Sequence, residues 1–214
     1  MLSLSRRSFA GFAMLVVLGL FAVVFPSGGR PAVAGPAPAP KRYWVYRDAE
    51  SKENNGHWTN VMPAEGAKML KLNMAWKTDP NAGATCVRVD IKWQEPLWCG
   101  LAVSSQPDYW GEDVKKEAFD LSGAKKLVFH ARGAAGGEYI QVKCAITGDK
   151  KFGDSAKGPA ESEWIKLDKS WKAYEVDLSK TNLKRVVTPF CFVSNKDYND
   201  KDITFFLDDI SIDY

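Results

Sequence analysis

The chain is short of histidine. Only His57 and His130 occur in 214 residues, which leaves no room for a histidine-based catalytic triad or a multi-histidine metal centre. It lacks Gly-x-Ser-x-Gly, His-Glu-x-x-His and any Gly-Lys-Ser/Thr phosphate loop. Its four cysteines, Cys86, Cys99, Cys144 and Cys191, include no Cys-x-x-Cys pair, against zinc or thioredoxin-like chemistry. Past residue 34 there is no long apolar run, no block of like charge and no long stretch with a 3.6-residue period. Ordinary proportions of glycine (17) and proline (11) exclude a collagen-like chain, and 45% hydrophobic residues exclude a wholly disordered one.

The first 34 residues are a separate matter. Arg6 and Arg7 precede an apolar or small stretch from Phe9 to Phe25, Pro26 breaks it, and Ala32-Val33-Ala34 supplies the small-x-small pattern of a signal-peptidase site. This predicts a signal peptide over 1–34, cut after Ala34, and a mature protein that is secreted or periplasmic and free of the membrane. Ser5-Arg6-Arg7-Ser8-Phe9 resembles the twin-arginine export signature, a bacterial feature. No cysteine precedes Cys86, so a lipid-modified cysteine at the cleavage site is excluded. Gly35-Pro-Ala-Pro-Ala-Pro40 opens an extended Pro/Ala-rich tether over 35–42, and a single domain is expected over 43–214. The leader's Arg6, Arg7 and Arg30 account for three of the 29 basic residues, leaving 26 against 26 acidic ones. A neutral mature chain has no electrostatic footprint for nucleic acid.

What the mature chain has is period-2 alternation. In Thr85–Trp93, Val87, Val89 and Ile91 face one way and Arg88, Asp90 and Lys92 the other. Lys126–Arg132 puts Leu127, Phe129 and Ala131 inward and His130 and Arg132 outward, and Tyr139–Thr147 turns Ile140, Val142 and Cys144 inward. Further runs lie at 43–46, 69–76, 98–103, 164–167, 172–177, 190–194 and 203–213, separated by clusters of Gly, Pro, Asp and Asn. About ten short strands with minimal helix, a single turn in Leu178–Val187 capped by Ser179, predict an all-β, two-sheet antiparallel jelly-roll sandwich.

The order of motifs in the second half carries a resemblance. Leu121-Ser-Gly-Ala-Lys-Lys-Leu127 leads to Ala131-Arg-Gly133, then Gly136-Gly-Glu138, Trp171-Lys-Ala-Tyr174 with Asp177-Leu-Ser179, and a closing Thr204-Phe-Phe-Leu-Asp-Asp-Ile210. The succession resembles the galactose-binding-like β-sandwich of carbohydrate-binding modules such as family 11, and uncharacterised secreted bacterial proteins with the same cassette. The resemblance spans roughly Tyr43 to Tyr214. It implies the fold firmly and carbohydrate as partner less firmly, because sandwiches of this type host many roles.

Eight tryptophans fit a glycan binder, since sugar rings stack their C–H faces on aromatic rings, but aromatics also fill sandwich cores. Trp76 shares the phase of Leu70, Leu72 and Met74 and is expected in the core, with Trp44 and Trp171. Trp110, in the turn-like Pro107-Asp-Tyr-Trp-Gly111, is the leading stacking candidate, with its neighbour Tyr109, and Trp98 is second. His130, Arg132 and Glu138 are candidates for the polar part of a sugar site, the alternative being an Arg132–Glu138 salt bridge. Modules of the resembling kind often share a structural Ca²⁺ between first and last strands. The resemblance thus makes Asp48, Glu50, Asp208 and Asp209 candidate ligands, the alternative being carboxylates capped by backbone N–H groups. Strand phase pairs Cys86 with Cys191 and Cys99 with Cys144, the alternative being four buried free thiols or a single bridge. The expected function is an exported, non-catalytic carbohydrate-binding sandwich. The alternatives are a jelly-roll glycosidase or lyase using two carboxylates such as Glu138 and Asp154, and an envelope protein-interaction domain.

Overall fold

The computed structural model describes residues 41–214, the side chains of Thr59 and Asn60 excepted. The predicted leader and the tether up to Pro40 lie outside the described residues. The described residues fall within one compact unit. Among the described residues no helix is long and apolar enough to cross a membrane.

Among the described residues twelve strands build two antiparallel sheets of six. The first runs β10 (Lys172–Asp177), β6 (Lys126–Gly133), β12 (Ile203–Asp213), β4 (Cys86–Ile91) and β3 (Leu70–Trp76), with β1 (Arg42–Tyr46) also on β12. The second runs β2 (His57–Met62), β5 (Trp98–Ser104), β11 (Phe190–Asn195), β7 (Tyr139–Cys144) and β8 (Ala160–Glu161), with β9 (Ile165–Lys166) also on β7. A 3-10 helix, Ala64–Lys68, joins β2 to β3. The two-sheet antiparallel sandwich expected from the alternation is the fold.

The core sits between the sheets. Val87, Val89, Ile91, Leu127, Phe129, Ala131, Ile140, Val142 and Cys144 are all buried in it, as their phases predict. Phe192 of the second sheet meets Phe205 of the first edge-to-face, at 5.2 Å between ring centroids. Strand β12 changes phase partway. Phe205 and Leu207 point inward before Asp208, and Ile210 and Ile212 point inward after it. A bulge between Asp208 and Ser211 absorbs the extra residue, with Asp209 at φ 46°. Asp is one of the few side chains that tolerates that left-handed backbone.

Several expectations change. The segment 178–187 makes a single hydrogen-bonded turn, the Thr181 N–H donating to the Leu178 carbonyl at 2.9 Å, and no helix. Leu178, Leu183 and Val186 are drawn into the core instead, and Phe119 and Val186 exchange backbone hydrogen bonds as an isolated bridge. Trp76, Trp44 and Trp171 are half-buried rather than core. For Trp76 and Trp44 the cause is a register shift beside them, between Asn73 and Trp76 and between Trp44 and Tyr46. The four cysteines are free, buried thiols and the expected bridges are not made. Cys86 and Cys191 lie in different sheets and out of the core phase of each. Cys99 and Cys144 face the core from β5 and β7, but β11 runs between those strands. Two strand spacings, about 10 Å, already exceed the roughly 7 Å a disulfide can span between Cα atoms. Burial pushes the thiols of Cys86, Cys99 and Cys191 up to about 12, which leaves them unreactive at neutral pH.

Candidate functional site

The sugar-site candidates fall on different parts of the molecule. Trp98 opens β5 on the face of the second sheet turned away from the core and is 43% exposed. Tyr109 is only 4% exposed and is a structural residue: its hydroxyl donates to the Phe152 carbonyl at 3.0 Å and accepts from Arg185 Nη2 at 2.9 Å. It pins loop 105–118 to loop 145–159 and is closed to ligand. Trp110 is half-buried and lines a hollow of about 530 Å³ with Met62, Pro63 and Lys150. His130 and Arg132 do point outward from β6, as their alternation predicts, but β6 belongs to the first sheet. Arg132 pairs with Asp79 at 3.3 Å and lies 3.9 Å from the centre of the Phe206 ring. Glu138 is 6% exposed, and its Oε1 accepts from the Ala135 N–H in the β6–β7 turn. A Cβ at Gly133 would run into the Glu138 carboxylate, which would have to shift. The Arg132–Glu138 pair does not form.

The second sheet's outer face carries an aromatic platform that sequence reasoning half found. Trp98 stands opposite Asn195, and Val193 stands opposite both Gly100 and Gln141. The same register places Tyr139 beside Asn195, about 10 Å from Trp98 across two strands. Tyr198, 47% exposed, stacks on Trp164 at 4.3 Å and 22° between planes and meets Tyr139 at 5.7 Å. Asn199 holds the turn that presents Tyr198. Its Nδ2 donates to the carbonyls of Tyr139 and Asn195 and to Ser194 Oγ, and its Oδ1 accepts from the Tyr139 N–H. Asn195 Oδ1 accepts from the Tyr198 N–H. Gln141, Asn195 and Lys166 supply polar groups around the rings, the Lys166 ammonium lying 5.9 Å from the Tyr139 ring centre. Tyr198 was missed because it lies outside every strand, where alternation carries no information, and Trp164 because the 164–167 run is too short to give it a phase, the strand formed being only Ile165–Lys166.

Three of the four carboxylates read as cation ligands, Asp48, Asp208 and Asp209, accept hydrogen bonds from the protein. Asp48 accepts from the N–H groups of Ala49 and Ala84 and from the Thr85 hydroxyl. Burial raises its pKa, but those hydrogen bonds outweigh burial and hold it below the usual carboxylate value. Asp208 is fully buried and accepts from the N–H groups of Asn81, Ala82 and Asp209. Asp209 accepts from Asn81 Nδ2 at 2.9 Å. Together they clamp loop 79–85 onto the first sheet. Among the described residues no three His, Cys, Asp or Glu side chains are grouped to hold a metal. A calcium ion takes six to eight oxygen ligands, and several oxygens of Asp48 and Asp208 already accept from N–H or O–H donors.

Asp208 has a consequence for pH. Burial pushes its pKa up to about 7, the three N–H donors opposing it only in part. The native state therefore holds a proton that the unfolded chain has lost above its ordinary pKa near 4. That contribution is complete below pH 4 and disappears as pH rises through about 7. Urea midpoints are expected to fall between pH 5 and pH 8, with a shallower fall in Asp208→Asn. An equal slope in both proteins would assign the pH dependence to another group.

A cleft of about 620 Å³ opens beside this clamp on the outer face of the first sheet, lined by Arg42, Trp44, Arg47, Asp48, Glu50, His130 and Asp209. The residues expected of a metal site and of a sugar site thus meet here in part: Asp48, Glu50, Asp209 and His130 share the cleft, while Asp208 is buried beneath loop 79–85. The catalytic alternative loses its pair. Glu138 precedes β7 and Asp154 is bonded to Thr147 beyond its other end. The six residues between span roughly 20 Å, twice the separation two glycosidase carboxylates can have.

Comparison with known proteins supports the architecture. No protein-family model and no curated protein matches the chain. Among solved structures it is similar to a family 30 carbohydrate-binding module, with TM-score 0.53 and 14% identity over 81% of this chain and 87% of that one. It is also similar to a family 11 module from Clostridium thermocellum in complex with a β-1,3-1,4-mixed-linked tetrasaccharide, with TM-score 0.50 and 14% identity over 82% and 96%. The chain has the two-sheet sandwich fold of the carbohydrate-binding modules, as the motif order indicated. At this identity the likeness shows the fold and not the ligand.

Proposed function

We propose that the protein is an exported, non-catalytic carbohydrate-binding module whose site is the aromatic platform of Trp98, Tyr139, Trp164 and Tyr198. The observation that carries this reading is exposure. Trp98 and Tyr198 are two of the four large hydrophobic side chains left exposed among the described residues, and both stand on one end of one sheet. Exposed aromatics gathered at one place, rimmed by Gln141, Asn195 and Lys166, offer apolar surface for pyranose C–H faces and polar groups for their hydroxyls. The shared fold supports it, and so does the fixing of Tyr198 by Asn199, since an ordered turn loses little entropy on binding. The apolar leader supports export.

The test is a glycan array followed by titration, with the β-1,3-1,4-mixed-linked tetrasaccharide as first probe. Trp98→Ala and Tyr198→Ala are each expected to weaken binding by about 1–3 kcal/mol, roughly 5- to 150-fold, with little change in the unfolding midpoint. Binding that survives both changes would remove the platform from the site. Trp110→Ala is the control, since Trp110 lines a different hollow.

A further inference from the structure

We propose that the cleft on the first sheet is a second, independent saccharide site that takes a short uncharged sugar, giving the protein two binding faces. The inference rests on the carbohydrate reading. At about 620 Å³ the cleft has the size of a small-molecule site, and it combines an aromatic wall, Trp44, with hydrogen-bond donors and acceptors. Its polar groups, Glu50 apart, are held before any ligand arrives. Arg42 makes two 2.8 Å hydrogen bonds to Asp213 and Arg47 pairs with Glu53, and their guanidinium groups lie 4.9 and 5.3 Å from the Trp44 ring centre. Asp209 is anchored by Asn81 and stands 3.9 Å from His130 Nδ1, and Asp48 is fixed by Ala84 and Thr85. Groups already fixed lose little freedom on binding.

Charge selects the ligand class. Both arginines are already offset, by Asp213 and Glu53, so the cleft holds no spare positive charge for an anion. Asp209 and Glu50 remain as acceptors, Glu50 with no ion-pair partner among the described residues. A hydroxylated, uncharged ring uses such acceptors as a donor and uses the guanidinium N–H groups as an acceptor. The platform belongs to the other sheet, so the sandwich core separates the two sites and one module could join two glycan chains.

The test uses the protein with its eight tryptophans labelled as 5-fluorotryptophan, each fluorine resonance assigned with a Trp→Phe variant. The probes are the mixed-linked tetrasaccharide, cello-, xylo- and mannotetraose, and trigalacturonate as the charged arm. The expected result is a saturable shift of Trp44 with a neutral probe. Glu50→Gln should weaken that site, read at Trp44, by roughly 5- to 30-fold while Trp98 and Trp164 titrate as before, and Trp44→Ala, which removes the reporter and is read by calorimetry, should weaken it likewise. Glu50→Gln is included because Glu50 is exposed and its change does not threaten folding. If Trp98 and Trp164 saturate with Trp44 unmoved, the second site is wrong and the platform reading stands. If Trp44 alone moves, the cleft stands and the platform reading falls. If no neutral probe moves any of the three, both fall. Tighter binding of trigalacturonate at Trp44 would overturn the uncharged class.

Discussion

Asp154→Ala is expected to destabilise the protein by about 3–5 kcal/mol, enough to leave a marginally stable domain partly unfolded at room temperature. The carboxylate is buried and accepts five hydrogen bonds. Oδ2 takes the N–H and hydroxyl of Thr147 and the hydroxyl of Thr188, at 2.6–2.8 Å, and Oδ1 takes the N–H groups of Val187 and Thr188. Thr188 adds to the same tie, its carbonyl and hydroxyl oxygens accepting from the Ala145 and Ile146 N–H groups. A hydrogen bond to a charged group contributes about 1.5–3 kcal/mol, and each buried donor left without a partner costs about 1–3 kcal/mol. The contributions are not additive, because loop 145–154 can loosen and admit water, so the total falls well below their sum. Asp154→Asn keeps one acceptor oxygen and should lose less. Urea denaturation of the three proteins at one pH checks the order wild type, Asn, Ala. A loss under 1 kcal/mol for Ala would mean the loops are held by their own packing.

Alternation made much of this fold legible. A period of two separates inside from outside, and Val87, Leu127, Phe129, Ile140 and Val142 are buried accordingly. It says nothing about which sheet a strand joins. His130 and Arg132 were read as facing outward, and they do, but on the sheet opposite Trp98, so the site assembled from them does not exist as one place. The register shifts beside Trp44 and Trp76 hid the outward phase of both. Strand β2 escaped notice because its pairing slips between Trp58 and Val61, which breaks the alternation within six residues. The carboxylate pairs at the two chain ends did come near each other, through β1 lying on β12, but their partners are loop N–H groups that no sequence pattern announces. Trp164 and Tyr198 are 34 positions apart and meet only because β11 lies on β7.

Phase also yields a test of the last strand, where two adjacent phenylalanines lie on opposite faces. Phe205 is fully buried between the sheets, opposite Val89 and Gly133 in its own sheet and edge-on to Phe192 in the other. Phe206 turns outward, covered by Arg132 with Trp76 and Trp171 to either side. Phe205→Ala opens a cavity that two rigid sheets cannot close and is expected to cost about 3–5 kcal/mol. Phe206→Ala removes a ring beneath long side chains that can settle into the space. Its cost is expected nearer 1.5–3 kcal/mol, that of burying one side chain without a residual cavity. The order of the two matters more than either value. The bulge at Asp208 and Asp209 is what allows Phe205 and Ile210, five positions apart, to point the same way. Were the strand regular, Ile210 would share its face with Phe206, and fixing the C-terminal half inward would make Phe206 the core residue. Urea midpoints for the two alanine variants at constant slope therefore read the register directly, and a greater loss at Phe206 would place the bulge elsewhere, taking the Asp208 clamp on loop 79–85 with it.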